Sequence, residues 1–157
     1  MHVDTDLVPM RPVLERAAAN VRRLTHDRAR PMLAFDVDFG SIENLKTHRD
    51  AKHSQLIGVL STFDIVATLD ATTKSGQLMA ATVTLDDGTF VVFLILDRID
   101  DERLENTVTH ELGHVIGFPD LAARGAIMSG ASVSGSPAIP DWTQADVELC
   151  RAFAYCD

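Results

Sequence analysis

The sequence predicts an α+β fold, α/β-like in its layout, with a mixed, twisted sheet of about four or five strands. Three observations support this prediction. The chain has 157 residues, 46% of them apolar, which is enough for one domain with a sizeable core. Near both ends of the chain, apolar side chains recur at the three-and-four spacing of amphipathic helices. Between these helices lie short segments with strand composition, two of them joined by an Asp-Asp-Gly turn.

The chain is predicted to begin with a helix and a strand. Residues 10–27 have one continuous apolar face, and Pro12 suits the first turn of a helix. Residues 31–40 alternate apolar and polar side chains, which is typical of a strand. Residues 41–54 are polar and show no pattern, so they form either a short exposed helix or a long loop.

The middle of the chain is predicted to form most of the sheet. Residues 63–70 and 78–85 have strand composition, and the turn-rich segment 71–77 separates them. Asp-Asp-Gly at 86–88 predicts a hairpin turn. The strand that follows, residues 89–97, is apolar on both faces, as expected for an interior strand of a covered sheet.

Two further helices are predicted. Residues 100–117 have an apolar face, and Asp100 or Asp101 can cap their start. After a loop rich in Gly, Ser and Pro, residues 143–155 form the last helix, which begins at Thr143 with a sequence close to a capping box. We see no repeat and no linker, so we expect a single domain.

The two cysteines, Cys150 and Cys156, are both in the last eight residues. On a continuous helix they are too far apart and misdirected for a disulfide, so they can pair only if the helix ends between them. Two ordinary thiols are the alternative, which leaves the redox compartment open.

Charge and hydropathy exclude two classes of partner. The net charge of −9 argues against a nucleic-acid surface, because phosphate binding needs clustered Lys and Arg. No run of apolar residues is long enough to span a membrane, so no membrane partner is expected. No signal peptide is visible at the start of the sequence. This absence is weak evidence about the cellular location of the protein.

The stretch THELGHVIGFPD, residues 109–120, carries two histidines one helical turn apart. On a helix that turns about 100° per residue, His110 and His114 differ by roughly 40° and project from one face. Two imidazoles placed in this way can bind one zinc ion. Glu111 is then placed to take a proton from water during attack on a carbonyl group, which is the chemistry of H-E-x-x-H metallopeptidases. Two histidines on an unrelated helix are the alternative.

A catalytic zinc needs a third protein ligand, and no histidine follows His114. Gly117 can end the helix with a positive φ, and Pro119 prevents the helix from resuming. The first ligand-type side chain after this turn is Asp120, and a carboxylate is a normal zinc ligand. Asp120 is therefore the predicted third ligand. Its rivals are Glu148, Asp141, Asp146 and the cysteines.

These residues resemble the metzincin clan of zinc endopeptidases. The H-E-x-x-H-x-x-G-x-x-D pattern consists here of His110, Glu111, His114, Gly117 and Asp120. An aspartate in the last position is most similar to the snapalysin group, which are small secreted bacterial proteases. Met128, in GAIMSG, is similar to the Met-turn that lies below the metal in this clan, and a hairpin and an acidic loop precede the zinc helix in the expected order.

The resemblance implies a metzincin-type fold over residues 1–157. Residues 1–117 would form an upper subdomain that includes the zinc helix, and residues 118–157 a small lower one. A metzincin begins with a strand and then a helix. Either residues 2–8 form that strand, or the N-terminal helix is an addition.

The resemblance also implies a function, that of a monomeric zinc endopeptidase with one catalytic Zn²⁺, with secretion favoured. A protein or peptide substrate would bind as an extended strand along 78–85, and residues 129–140 would wall its specificity pocket. The chain departs from some metzincins at Gly130, where they have a tyrosine, and Tyr155 is interpreted as structural. No cysteine precedes the zinc helix, which excludes a cysteine-type latency switch within this chain.

Two other functions stay open. One is a non-catalytic zinc domain that binds a partner, although a structural site has no use for Glu111 and favours four protein ligands. The other is a hydrolase of a non-peptide amide. A calcium site is a further possibility beside a solvated helix start, and its candidate ligands are Asp97, Asp100, Asp101, Glu102 and Glu105.

Overall fold

A computed structural model describes residues 1–37, 53–73, 78–123, 125–129 and 142–156. The elements in chain order are β1 (His2–Asp4), a 3-10 helix (Thr5–Met10), α1 (Arg11–Leu24), β2 (Ala34–Val37), β3 (Gln55–Val59), α2 (Asp64–Thr73), β4 (Ala80–Thr84), β5 (Phe90–Ile95), α3 (Asp101–Val115) and α4 (Gln144–Ala152). The predicted α+β class is confirmed, with a five-stranded mixed sheet and four α-helices in the described part of the chain. Every described helix is too short or too polar to cross a bilayer.

The chain divides into two compact units. Unit 1 comprises residues 1–11 and 32–98, and unit 2 comprises residues 12–31 and 99–157. The expected single domain with a subdomain boundary at residue 117 stays a prediction.

Unit 1 contains the sheet, whose strand order is β2-β1-β3-β5-β4. β1 pairs in parallel with β2 and β3, and β3 pairs in parallel with β5. The chain therefore begins with a strand, but this strand covers only His2–Asp4 of the segment 2–8, and a 3-10 helix follows. The predicted strand at 31–40 is confirmed over Ala34–Val37, and residues 38–52, which include most of the segment 41–54, lie outside the described residues.

The predicted hairpin is confirmed. β4 pairs antiparallel with β5, from Ala80 opposite Leu94 to Thr84 opposite Phe90. The turn between them needs a glycine, because Gly88 has a φ of +80°. β5 lies between β3 and β4, and Val91 to Ile95 are all buried, as predicted for an interior strand.

The predicted strand at 63–70 is wrong, because Asp64–Thr73 form α2. β3 and β5 are parallel neighbours, and a parallel pair needs a crossover connection, which usually contains a helix. α2 lies in that crossover, and its apolar residues Ile65, Val66 and Leu69 join the core of unit 1. Packing here overrides the strand propensity of Ile65 and Val66.

β3, Gln55–Val59, was not predicted from the sequence. This strand has parallel neighbours on both sides and buries four of its five residues. A short strand of this kind has no alternation of apolar and polar side chains, so periodicity does not distinguish it.

Unit 2 contains the helical segments. α1 buries Leu14, Ala17, Ala18, Val21 and Leu24, which are the apolar face predicted for residues 10–27. The predicted last helix is confirmed over Gln144–Ala152, and Thr143 forms a full capping box with Asp146.

The two cysteines form a disulfide in unit 2, with their Cα atoms 5.3 Å apart. The pairing is possible because α4 ends at Ala152 and the chain then turns back through Ala154, whose φ is +58°. This settles the alternatives in favour of a helix that ends between the cysteines. The disulfide belongs to a small core with Leu24, Phe118, Met128 and Leu149.

Candidate metal centre

α3 places the two histidines near its C-terminal end. Asp100 caps its start by accepting a hydrogen bond from the Arg103 amide at 2.9 Å, and acids in the first turn suit the positive end of the helix dipole. The helix then runs unbroken to Val115, as predicted. His110 and His114 are therefore one turn apart on one rigid element.

A Schellman motif ends α3. The Gly117 amide donates to the His114 carbonyl at 2.9 Å, and the Phe118 amide donates to the Gly113 carbonyl at 3.0 Å. Gly117 has a φ of +101°, a conformation that favours glycine. The prediction that Gly117 ends the helix with a positive φ is thus confirmed, and the motif turns the chain towards Asp120.

Both imidazole rings are fixed by backbone carbonyl groups. His110 Nδ1 lies 2.6 Å from the Ile127 carbonyl oxygen, and His114 Nδ1 lies 2.7 Å from the Phe118 carbonyl oxygen. A carbonyl oxygen only accepts, so each Nδ1 must carry the proton. Each Nε2 of a neutral ring then keeps its lone pair, which is the tautomer that binds a metal through Nε2.

Three electron-donating atoms converge at this place. The Nε2 atoms of His110 and His114 are 3.0 Å apart. Asp120 Oδ1 lies 3.5 Å from His110 Nε2 and 3.4 Å from His114 Nε2. A tetrahedral ion with bonds of ~2.0–2.1 Å separates its ligand atoms by roughly 3.3 Å. The donor set therefore fits a zinc ion, and within the described ranges no other cluster of three or more His, Cys, Asp or Glu side chains is grouped in this way.

The rival ligands make other contacts. The carboxylate of Asp146 is fully buried and accepts hydrogen bonds from backbone amides of the segment around Met128. Glu148 is exposed on α4 and accepts a hydrogen bond from Gln144, and both cysteines are in the disulfide. Asp141 lies outside the described residues. Of the described candidates, only Asp120 lies with the two histidines.

Glu111 follows His110 directly and is 5% exposed. The histidine side chains keep about a fifth of their surface exposed, at 17% and 22%, whereas that of Asp120 is 60% exposed. A buried carboxylate beside partly exposed candidate ligands is suited to chemistry on a molecule that enters from solvent.

Met128 is fully buried and packs against Gly113 of α3. A Cβ atom at Gly113 would meet Met128 Sδ, and would lie 2.9 Å from its Cε. Residue 113 must therefore be glycine for Met128 to approach this closely between the two histidines. Met128 was predicted from the sequence and Gly113 was not, although a glycine inside a helix is itself a signal of close packing.

Two other predictions concern the surroundings of the site. Tyr155 packs with its ring 5.8 Å from that of Phe118, in agreement with a structural role. Gly130 and nearly all of the expected pocket wall at 129–140 lie outside the described residues.

Three of the five acids considered for calcium have protein partners. Asp97 accepts hydrogen bonds from the Ser61 amide and hydroxyl, which lower the pKa of its carboxyl group. Asp100 caps α3, and Glu105 contacts Arg16 and Asn20 at 2.8 and 3.0 Å. These contacts agree with the alternative interpretation, in which the acids belong to the solvated start of a helix. A calcium site here stays a prediction.

Comparisons with protein-family models, with curated proteins and with solved structures each find no match to this chain. The geometry of the site is therefore the main basis for the function proposed below.

Proposed function

We propose that the chain is a zinc-dependent endopeptidase of metzincin type, most similar to the snapalysin group. The convergence of His110 Nε2, His114 Nε2 and Asp120 Oδ1 carries this proposal. Two neutral imidazoles and a carboxylate are the ligands that a catalytic zinc takes, and three protein ligands leave one position for substrate or water.

The order of the elements supports a metzincin-type fold. The chain begins with a strand, β1, before its first long helix, α1. The β4–β5 hairpin is followed by an acidic segment and then by the helix that carries the histidines. Met128 follows Asp120 and packs against that helix, as the Met-turn interpretation requires.

The residues of the site have distinct roles in the proposed reaction. His110, His114 and Asp120 would hold the zinc, which when bound supplies Lewis acidity to a peptide carbonyl and to water. Glu111 would accept the proton of the attacking water and return it to the departing amine nitrogen, so that the C–N bond breaks and a carboxylate and an amine are released. Met128 and Gly113 would keep the histidine-bearing turn rigid.

A peptide substrate would bind as an added strand. β4 is the last strand in the sheet order of unit 1, and in the described part of the chain it pairs with β5 alone. An extended peptide can add to the edge strand of a sheet through main-chain hydrogen bonds.

Casein cleavage by purified protein tests the proposal. We expect zinc-dependent cleavage that a chelator abolishes and that added zinc restores. Glu111→Gln should lower the cleavage rate by about a hundredfold or more, because it removes the proton acceptor, and should still bind zinc. Glu102→Gln, on the exposed first turn of the same helix, is the matched control and should keep the wild-type rate.

Other outcomes would favour the alternatives. Full zinc content without cleavage of casein or of any peptide library would contradict an endopeptidase and favour a partner-binding zinc domain. Cleavage restricted to small amides, abolished by Glu111→Gln, would favour a hydrolase of non-peptide amides.

A further inference from the structure

Asp146 is a fully buried carboxylate that the proposed reaction does not use. Its Oδ1 accepts a hydrogen bond from the Met128 amide at 2.9 Å, and its Oδ2 accepts one from the Ile127 amide at 3.0 Å. Oδ2 also accepts from the amide and the hydroxyl of Thr143, at 2.9 and 2.7 Å. Burying a carboxylate is expensive unless donors face it, and here each oxygen has at least one donor: one N–H for Oδ1, and two N–H groups and one O–H group for Oδ2.

The segment that Asp146 binds also contacts a predicted zinc ligand. Ile127 donates its amide N–H to Asp146, and its carbonyl oxygen accepts the Nδ1–H of His110. Ile127 is thus held by hydrogen bonds on both of its backbone groups. A displacement of Ile127 would move the acceptor that fixes the tautomer and the orientation of the His110 ring.

We propose that Asp146 is a positioning residue for the metal centre. By holding the amides of Ile127 and Met128, it places the Ile127 carbonyl so that His110 is protonated on Nδ1 and presents the lone pair of Nε2. Groups that fix a ligating histidine through its second nitrogen raise metal affinity. This inference rests on the proposed function for the identity of the ligand, but the hydrogen bonds that it uses belong to the protein alone.

Asp146→Asn provides the test, because it keeps the size of the side chain and removes one of two acceptor oxygens. Whichever oxygen becomes an NH₂ group will face a backbone N–H donor instead of accepting from it. We expect the zinc dissociation constant, measured by competition with a chelator, to rise about tenfold or more. In the metal-free protein, ¹⁵N NMR should show the His110 ring changing from the Nδ1–H form to a mixture of tautomers.

Thr143→Val is the matched control. It removes the hydroxyl that caps α4 and contacts the same carboxylate, and it leaves the amides of Ile127 and Met128 in place. We expect both variants to lower the melting temperature, but only Asp146→Asn to change the zinc affinity and the His110 tautomer. Equal loss of zinc affinity in both variants, or wild-type affinity in Asp146→Asn, would overturn the inference.

The NMR measurement separates this inference from the proposed function. If the wild-type protein binds no zinc, the proposed function fails, and the tautomer change in the metal-free protein still supports or overturns the role of Asp146. If Asp146→Asn does not fold, hydrogen exchange of the wild-type protein decides: slow exchange of the Ile127 and Met128 amides is expected, and rapid exchange of both would overturn the inference.

Discussion

Gly113 leaves the space that Met128 occupies beside α3. Met128 is fully buried, so its side chain has little room to move when a methyl group is added at residue 113. An alanine gains up to ~1 kcal/mol in helix propensity, whereas overpacking a core costs about 1–3 kcal/mol. We expect Gly113→Ala to lower the free energy of unfolding by about 1 kcal/mol, measured by denaturant titration.

A double-mutant cycle with Met128→Ala checks the cause of this effect. If the clash is responsible, Gly113→Ala should stabilise the protein once Met128 is truncated, because only the propensity gain is left. Additive effects of the two changes would contradict the proposed contact. Gly117→Ala is a useful comparison, since nothing lies within 4 Å of an added Cβ there and its effect reports backbone strain alone.

Part of the site was predictable residue by residue. The four-residue spacing of His110 and His114 fixes their common face, and Gly117 and Pro119 fix the turn before Asp120. The contacts of the histidines with the carbonyl groups of Ile127 and Phe118 were not predictable, because any residue type provides a carbonyl oxygen. The positions of these two carbonyl groups depend on the folded backbone and not on the side chains of Ile127 and Phe118.

At the level of elements, the disulfide holds the chain after α4 against the core of unit 2. It closes a short loop that places Phe153 and Tyr155 around the ring of Phe118, with ring centroids 5.7 and 5.8 Å away. Closing a loop of this length lowers the entropy of the unfolded chain, a stabilisation of about 2 kcal/mol. We expect reduction, or the Cys150→Ser/Cys156→Ser variant, to lower the free energy of unfolding by that amount.

The double variant is also the control for reduction. A reducing agent should lower the melting temperature of the wild-type protein and leave that of the double serine variant unchanged. An equal effect on both proteins, or none on the wild type, would contradict a stabilising disulfide.

In unit 1, an ion pair joins α2 to the residues after β5. Arg98 binds both oxygens of Asp70, at 3.0 and 2.9 Å, and also donates to the Leu78 carbonyl. The hydrogen bond from Arg98 lowers the pKa of the Asp70 carboxyl group. A carboxyl group whose pKa is lower in the folded state adds stability above its unfolded pKa of about 3.9, and this stability is lost as the pH falls through the folded pKa.

Asp70→Asn should therefore lower the melting temperature by a few degrees at pH 7, and the difference from the wild type should shrink below about pH 4. Asp86→Asn, in the exposed hairpin turn, is the control and should differ little from the wild type at any pH. A stability difference for Asp70→Asn that is constant from pH 7 to pH 2.5 would show that the ion pair is not the cause.

The elements also show where sequence patterns are insufficient. α1, α3 and α4 were predictable from apolar spacing and from caps such as Asp100 and Thr143. α2 was not, because its β-branched residues favour a strand locally and only the parallel pairing of its neighbours requires a helical crossover.

At the scale of the whole molecule, the α+β class and the hairpin that ends the sheet were predictable from local patterns. The parallel order of β2, β1, β3 and β5 was not, since it is set by contacts between segments distant in sequence. Three predicted metal ligands from α3 and from the turn after it lie together in unit 2. We propose that these ligands hold one catalytic zinc ion.

The zinc affinity of the Asp120→Ala variant, measured beside Glu148→Ala by mass spectrometry and chelator competition, is the decisive test of this zinc site. We expect one zinc per wild-type chain, a loss of affinity of about a hundredfold or more in Asp120→Ala, and wild-type affinity in Glu148→Ala. Zinc bound as tightly by Asp120→Ala as by the wild type, or lost only in Glu148→Ala, would contradict the proposed metal centre.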